Sequence, residues 1–294
     1  MKFIDTPTLR IGYEERNESG NRTAICIHGW PDSPRTWNGV AGRLADAGWR
    51  VLVPAVRGFA PTTFRDPGKI RSGQLAALGC DLLDFIDALQ LDRPALIGHD
   101  WGARAAANAC GLRPGVASHL AMLSVGYGTN QPDQALSMEM LRNYWYHWLM
   151  ATPRGDQVVR TDGRAFAKFM WDTWSPPGPW NNPDEFAATA TAFDQADWAD
   201  VTLHSYRHRW GHAEGDPAYD GAEAALNPAP VLDVDTLVLH GTDDRVNPPE
   251  TSAGRAHYFT GRYERVVCDG IGHFPQREAP ERIGDELIRF LGRE

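Results

Sequence analysis

The stretch Leu96-Ile97-Gly98-His99-Asp100-Trp101-Gly102-Ala103-Arg104 constrains this chain more than any other. An apolar run, 94–97, enters it and an Ala-rich run, 103–109, leaves it, which reads as strand, sharp turn, helix. Glycines stand two residues before and two after Asp100, the spacing of a nucleophile elbow. Small neighbours are needed there because the central residue sits at strained backbone angles that leave no room for adjoining side chains. The usual central residue is Ser; here it is Asp. A serine must lose a proton before it attacks, whereas a carboxylate of reference pKa about 3.9 is already ionised at neutral pH. An ionised carboxylate suits displacement at a saturated carbon, giving an alkyl-enzyme ester. Such a glycine pair also arises by chance in α/β chains, so the rest of the chain must decide.

Taken in order, residues 1–23 alternate in short stretches broken at 17–21 and read as an edge hairpin. Residues 23–27 form an apolar run, the pattern of a strand buried on both faces. The run ends at His28-Gly29-Trp30-Pro31-Asp32, on the sheet edge where open parallel sheets bind ligands. Ser33 and Pro34 open a helix that Gly48 closes. A strand over 49–56, a loop over 57–62 and a helix over 73–89 follow, then the elbow and a strand over 119–125. Four alternations imply right-handed crossovers and a mostly parallel sheet with helices on both faces. From about 129 to 227 the alternation stops, and aromatic helical segments are separated by Pro-rich breaks such as 175–180. It resumes with strands over 236–240 and 263–268 and helices over 249–259 and 280–291. The expected organisation is an α/β core, 1–128 and 228–294, with a helical lid, 129–227, inserted in it. Its density of aromatic residues makes Trp145, Tyr146 and Trp171 candidates for substrate contact.

Charge and composition narrow the partners. The net charge is −9, from 29 Lys and Arg against 38 Asp and Glu, with no basic run, which excludes nucleic acid and anionic membrane surfaces as partners. The four cysteines, Cys26, Cys80, Cys110 and Cys268, form no C-x-x-C pair and no zinc spacing. The first residues lack a signal-peptide apolar region, and no apolar run approaches transmembrane length. Reducing cytoplasm is the expected setting, and a monomer or homodimer acting on a small, apolar molecule is the expected state.

His273, in Gly270-Ile271-Gly272-His273-Phe274, follows the last strand, and Asp243 and Asp244 follow the strand before it. The order nucleophile, acid, histidine is that of the α/β-hydrolase fold. With these residues in hand the chain resembles the Asp-nucleophile branch of the α/β hydrolases, epoxide hydrolases first and haloalkane or haloacetate dehalogenases second. The resemblance spans nearly the whole chain and is most specific at His28-Gly29-Trp30-Pro31, with Trp37 behind it, and at Gly98-His99-Asp100-Trp101-Gly102. Its register favours Asp244 as the acid, with Asp243 as fallback. It also implies two lid tyrosines that hydrogen-bond the epoxide oxygen. Tyr144 matches the first, with Tyr146 its competitor, and Tyr206, in a Tyr-Arg pair, matches the second.

Some positions depart from the pattern. The D-x-R-G-x-G-x-S loop of the family reads Ala55-Val56-Arg57-Gly58-Phe59-Ala60-Pro61-Thr62 here. Haloacetate dehalogenases share Arg104 and the aromatic lid helix but place Arg directly after the nucleophile, where this chain has Trp101. Haloalkane dehalogenases place Asn or Glu at the position of Trp30. The resemblance therefore implies that Asp100 attacks an epoxide while the tyrosines hydrogen-bond its oxygen. His273, oriented by Asp244, then activates water against the ester, and the Trp30 and Trp101 backbone N–H groups hold the oxyanion. No metal or organic cofactor is required. A receptor without turnover on the same fold is the alternative from another class; loss of Asp100, His273 or the acid would favour it, and all are present.

Overall fold

The computed structural model describes residues 1–130 and 134–292. An antiparallel pair, β1 (Lys2–Asp5) and β2 (Leu9–Arg16), opens the chain. The break at 17–21 does not turn this hairpin. It carries the chain to β3 (Arg22–Ile27), which lies beyond β4 (Trp49–Pro54) in the sheet. The two-residue β5 (Thr63–Phe64), just after the loop over 57–62, pairs with β2. β6 (Ala95–His99), β7 (His119–Leu123), β8 (Asp235–Gly241) and β9 (Tyr263–Cys268) complete the order β1-β2-β4-β3-β6-β7-β8-β9. From β4 to β9 every pairing is parallel.

The apolar strand runs are explained by two covered faces. Ala24 and Cys26 of β3 point into one core with α1 (Asn38–Asp46), while Ile25 and Ile27 point into the other with α2 (Leu75–Ala88) and α3 (Trp101–Leu112). The insertion between β7 and β8 holds α4 (Met138–Asn143), α5 (Trp145–Met150), α6 (Pro153–Trp174), α7 (Pro183–Ala190), α8 (Trp198–Arg209) and α9 (Asp220–Leu226). Three of these helices start on side-chain caps: Ser137, Thr152 and Asn182 accept from the backbone N–H three residues on, and Pro follows the last two. The last, α9, packs back on α2 and α3. The short α10 (Pro275–Glu278) and then α11 (Pro280–Leu291) end the chain, and α11 lies beside α1 in the second core.

The helix expected over 249–259 is absent. Two single 3-10 turns, Pro249–Ser252 and Ala256–Tyr258, stand there instead, separated by Gly254 at φ +68°. A left-handed residue ends any α-helix, and Gly adopts it without cost. Among the described residues all four cysteines are free, and no helix is long and apolar enough to cross a membrane.

The central contact of the fold is backbone on backbone. A Cβ on Gly102, at the start of α3, would lie 2.1 Å from the Ile27 carbonyl oxygen of β3, and one on Gly98 would lie 2.2 Å from the Gly102 carbonyl oxygen. Neither neighbour is a flexible side chain that could move aside. Gly102→Ala should therefore cost about 2 kcal/mol or more and lower the melting temperature by roughly 4 °C or more. Thermal unfolding followed by circular dichroism measures this, and an unchanged midpoint would contradict the close approach.

Candidate active site

The carboxyl ends of β3, β6, β8 and β9 meet beneath the inserted helices, and each delivers one group. β6 ends in Asp100, held at φ +50° and ψ −113° as the cap residue of α3. Such a conformation costs on the order of 1–3 kcal/mol and persists only where its surroundings over-determine it. After β3, Gly29 leaves the room that the carboxylate occupies, since a Cβ there would lie 2.7 Å from Asp100 Oδ1. The next residue, Trp30, donates its backbone N–H to the same Oδ1 at 3.0 Å. The second backbone donor expected from sequence, Trp101, is fully buried at the first position of α3.

β8 and β9 supply an acid and a base. His273 donates from Nδ1 to Asp244 Oδ2 at 2.9 Å, and its Nε2 lies 3.9 Å from Asp100 Oδ2 with no hydrogen-bond partner. Asp244 Oδ1 accepts the backbone N–H groups of Val246 and Asn247 at 3.0 and 2.9 Å. Asp243 is exposed and, among the described residues, its side chain pairs only with the neighbouring Thr242 hydroxyl, so of the two candidates it is Asp244 that contacts His273. Burial alone would raise the Asp244 pKa. The charge of His273 and hydrogen bonds from His240 and His273 instead hold it well below the usual carboxylate range. Burial alone would lower His273, but Asp244, by charge and hydrogen bond, and Asp100 raise it above its ordinary value.

The inserted helices bring two phenols to the same place. Tyr146 stacks on the Trp30 indole at 5.8 Å, Tyr206 meets that indole edge-on at 5.3 Å, and the two phenol rings are 5.3 Å apart. The Trp30 indole N–H is anchored on Thr202 of α8 at 3.2 Å. Burial raises both phenols well above the ordinary tyrosine value, and the Asp100 carboxylate adds to this, so both hydroxyls remain donors. The Tyr206 hydroxyl has the Tyr146 hydroxyl and the Trp101 indole N–H as neighbours.

Three expected site residues lie elsewhere. The Tyr144 hydroxyl bridges Asn247 Oδ1 at 2.8 Å and Asn130 Oδ1 at 3.1 Å, and burial pushes its pKa up to about 12. Residues two apart on a helical turn face different directions, so Tyr144 and Tyr146 cannot both look onto Trp30. Trp171 lies in the seam between insertion and core. Its indole N–H donates to the Pro31 carbonyl at 2.9 Å, and Arg277 sits over its ring at 4.6 Å. Trp145 is 38% exposed and packs outward on Phe166 and Phe169.

Other residues that position the site carried no signal in the sequence. The Ser175 hydroxyl accepts the His273 backbone N–H at 2.7 Å and donates to Glu278 Oε1 at 2.6 Å. Glu278 also accepts the backbone N–H groups of Gly272 and Phe274. His99, held near a pKa of about 4 by burial, and Ser124 both reach the His273 carbonyl, at 2.7 and 3.0 Å. His240 sits 3.4 Å from Asp244 Oδ2 while hydrogen-bonded to the Asn247 carbonyl. Among the described residues no group of three or more His, Cys, Asp or Glu side chains converges as a metal-ligand set.

A family model described as the alpha/beta hydrolase fold matches residues 24–280. The chain belongs to the α/β-hydrolase fold family. This α/β hydrolase is 26% identical to epoxide hydrolase A of Mycobacterium tuberculosis, over 99% of its own length and 96% of that protein. It is 24% identical to an epoxide hydrolase of Caballeronia sordidicola, over 99% and 94% of the two chains. Among solved structures it superposes on a Klebsiella pneumoniae protein provisionally described as an epoxide hydrolase, with a TM-score of 0.93, 32% identity, and 98% and 96% coverage. Potato epoxide hydrolase I shares the fold at a TM-score of 0.80 and 20% identity, over 99% and 98% of the chains.

The His273–Asp244 contact of this hydrolase makes a pH-dependent prediction. The neutral, proton-accepting form of Nε2 should grow only as pH rises through a value above the ordinary histidine pKa of about 6.5. In Asp244→Asn the largest raising charge and its hydrogen bond are gone, leaving Asp100 and Glu278 alone against burial, so the titration should move down from the parent value. Imidazole chemical shifts against pH measure both, and coincident curves would refute the coupling.

Proposed function

We propose that this protein is an epoxide hydrolase working through an Asp100 alkyl-enzyme ester. The observation that carries this reading is the pair of buried, protonated phenols, Tyr146 and Tyr206, packed around Trp30 beside Asp100. An epoxide oxygen leaves as a strongly basic alkoxide and needs such donors in the transition state. A halide leaves as a stable anion and does not. Relatives named as epoxide hydrolases along nearly the full chain support the same reading.

In this mechanism Asp100 Oδ2 attacks an epoxide carbon, the carbon–oxygen bond breaks, and the oxygen takes a proton from the phenol pair. Oδ1 stays on the Trp30 backbone N–H, where it already rests at 3.0 Å. His273 Nε2 then takes a proton from water, the hydroxide adds to the Asp100 carboxyl carbon, and the Trp30 and Trp101 N–H groups hold the oxyanion. Asp244 stabilises the imidazolium. Collapse breaks the carboxyl carbon–Oδ2 bond, His273 passes its proton to the leaving alkoxide, and a vicinal diol carrying Oδ2 is released. The proton left on the new Asp100 carboxyl returns to the phenolate, which restores both groups. The inserted helices act as the lid over this chamber. One observation favours dehalogenation as a second reading: the Trp101 indole N–H is buried without a hydrogen bond of ordinary geometry, and could face a halide. Parallel assay of styrene oxide, a haloalkane and a haloacetate separates the two.

His273→Gln should trap the covalent intermediate, detected by mass spectrometry on the peptide carrying Asp100. An adduct elsewhere, or undiminished turnover, would overturn the assignment. Removing one oxyanion donor typically costs on the order of 100-fold in rate. Tyr146→Phe and Tyr206→Phe should each slow alkylation by about that factor, and Tyr144→Phe by far less, in single-turnover kinetics. Parent rates in the first two variants would move the assignment to dehalogenation.

A further inference from the structure

Between α3, the loop after β7, the end of α8 and α9 lies a cleft of about 320 Å³. Water occupies about 30 Å³ per molecule, so the cleft has room for a short carbon chain with a polar head. Arg104 of α3 and Arg209 of α8 both line it, and each is more than nine-tenths buried. Among the described residues neither guanidinium forms an ion pair, and both Nε atoms lack a hydrogen-bond partner. Arg104 reaches only the Thr129 carbonyl and hydroxyl, at 3.0 and 3.3 Å. Arg209 reaches the Ser205 hydroxyl at 3.5 Å and lies 4.9 Å over the Tyr206 ring.

Two buried cations in one cleft without a counter-charge are costly unless something else supplies it. The neighbours register their field. After burial, Arg209 and Arg104 are what hold the His147 pKa well below its ordinary value. Among the described residues the one carboxylate lining the cleft, Glu223, is engaged by Gln74 at 3.1 Å and by the Ala76 backbone. The same wall touches the chemistry: Arg209 lies over the phenol of Tyr206, and Arg104 follows Asp100 by one helical turn. A carboxylate brought toward Asp100 would be repelled by it, and a pair of guanidinium groups at this point offsets that repulsion.

We propose that this cleft is a carboxylate subsite, and that the substrates are epoxides bearing a carboxylate on a short chain, bound by Arg104 from the core and Arg209 from the insertion. This rests on the epoxide reading for the reaction, but not for the binding. It departs from the expectation of an apolar substrate.

The test compares a terminal-epoxide hexanoate with its methyl ester, and titrates hexanoate against hexanamide by calorimetry. The acid should exceed the ester in kcat/KM by about tenfold or more, and hexanoate should bind tighter than hexanamide by a similar factor. Arg104→Met and Arg209→Met should each lower the acid-to-ester ratio by about tenfold, with Arg104→Lys and Arg209→Lys retaining part of it. If both epoxides are opened and the ester equals the acid, the subsite is overturned and the epoxide reading stands. If neither is opened but hexanoate binds and the Met variants weaken it, the epoxide reading falls and the subsite stands. Equal binding of hexanoate and hexanamide overturns the subsite.

Discussion

The structure depends on a place where three stretches of backbone approach so closely that no side chain fits. The strand-to-helix turn at Asp100 is crossed by the end of β3, and Gly29, Gly98 and Gly102 are all in contact with main-chain or carboxylate atoms there. This is what holds Asp100 at a positive φ. The same crossing presents the Trp30 N–H to Asp100 Oδ1. The Asp100 backbone geometry and the Trp30 N–H contact are therefore consequences of one packing event. Neither could be adjusted without moving a central strand.

The rest of the site is assembled by charge and burial. Asp244 stays ionised in a dry interior because His273, His240 and two backbone N–H groups surround it. The insertion is joined to the core by a buried network in which Arg277 engages Asp32 at 2.9 and 2.5 Å and Glu185 of α7 at 2.7 Å. Ser175, next to the carboxyl end of α6, hydrogen-bonds the His273 backbone directly. The position of His273 is thus set partly by the insertion, not by the sheet alone.

What was legible in the sequence follows from how local each signal is. Strand, turn and helix around Asp100 are encoded within nine residues, and the glycine spacing is a direct image of the packing. The α/β alternation and the break at the insertion could be read for the same reason. Tyr144 and Tyr146 could not be told apart, because the phase of a helix as short as α5 is decided by what it packs on. Trp145 and Trp171 mark an aromatic region correctly, but whether a ring lines a chamber, a seam or the surface is a tertiary matter. The helix expected over 249–259 does not form because Gly254 stands at a positive φ in its middle. Arg209 and Glu278 look like ordinary charged residues in the sequence, and only their burial or bonding distinguishes them.

Trp30 carries two duties on two separable parts. Its backbone N–H faces Asp100, and its indole is the surface on which Tyr146 and Tyr206 rest and to which Thr202 is tied. An exchange of side chain at this position leaves the amide in place while releasing the phenols. On the proposed mechanism, leaving-group preference and ester turnover would thereby be mutationally uncoupled. On that proposal, a lineage carrying this scaffold would change which bond it breaks by altering a single ring, and retain the groups that free Asp100 again.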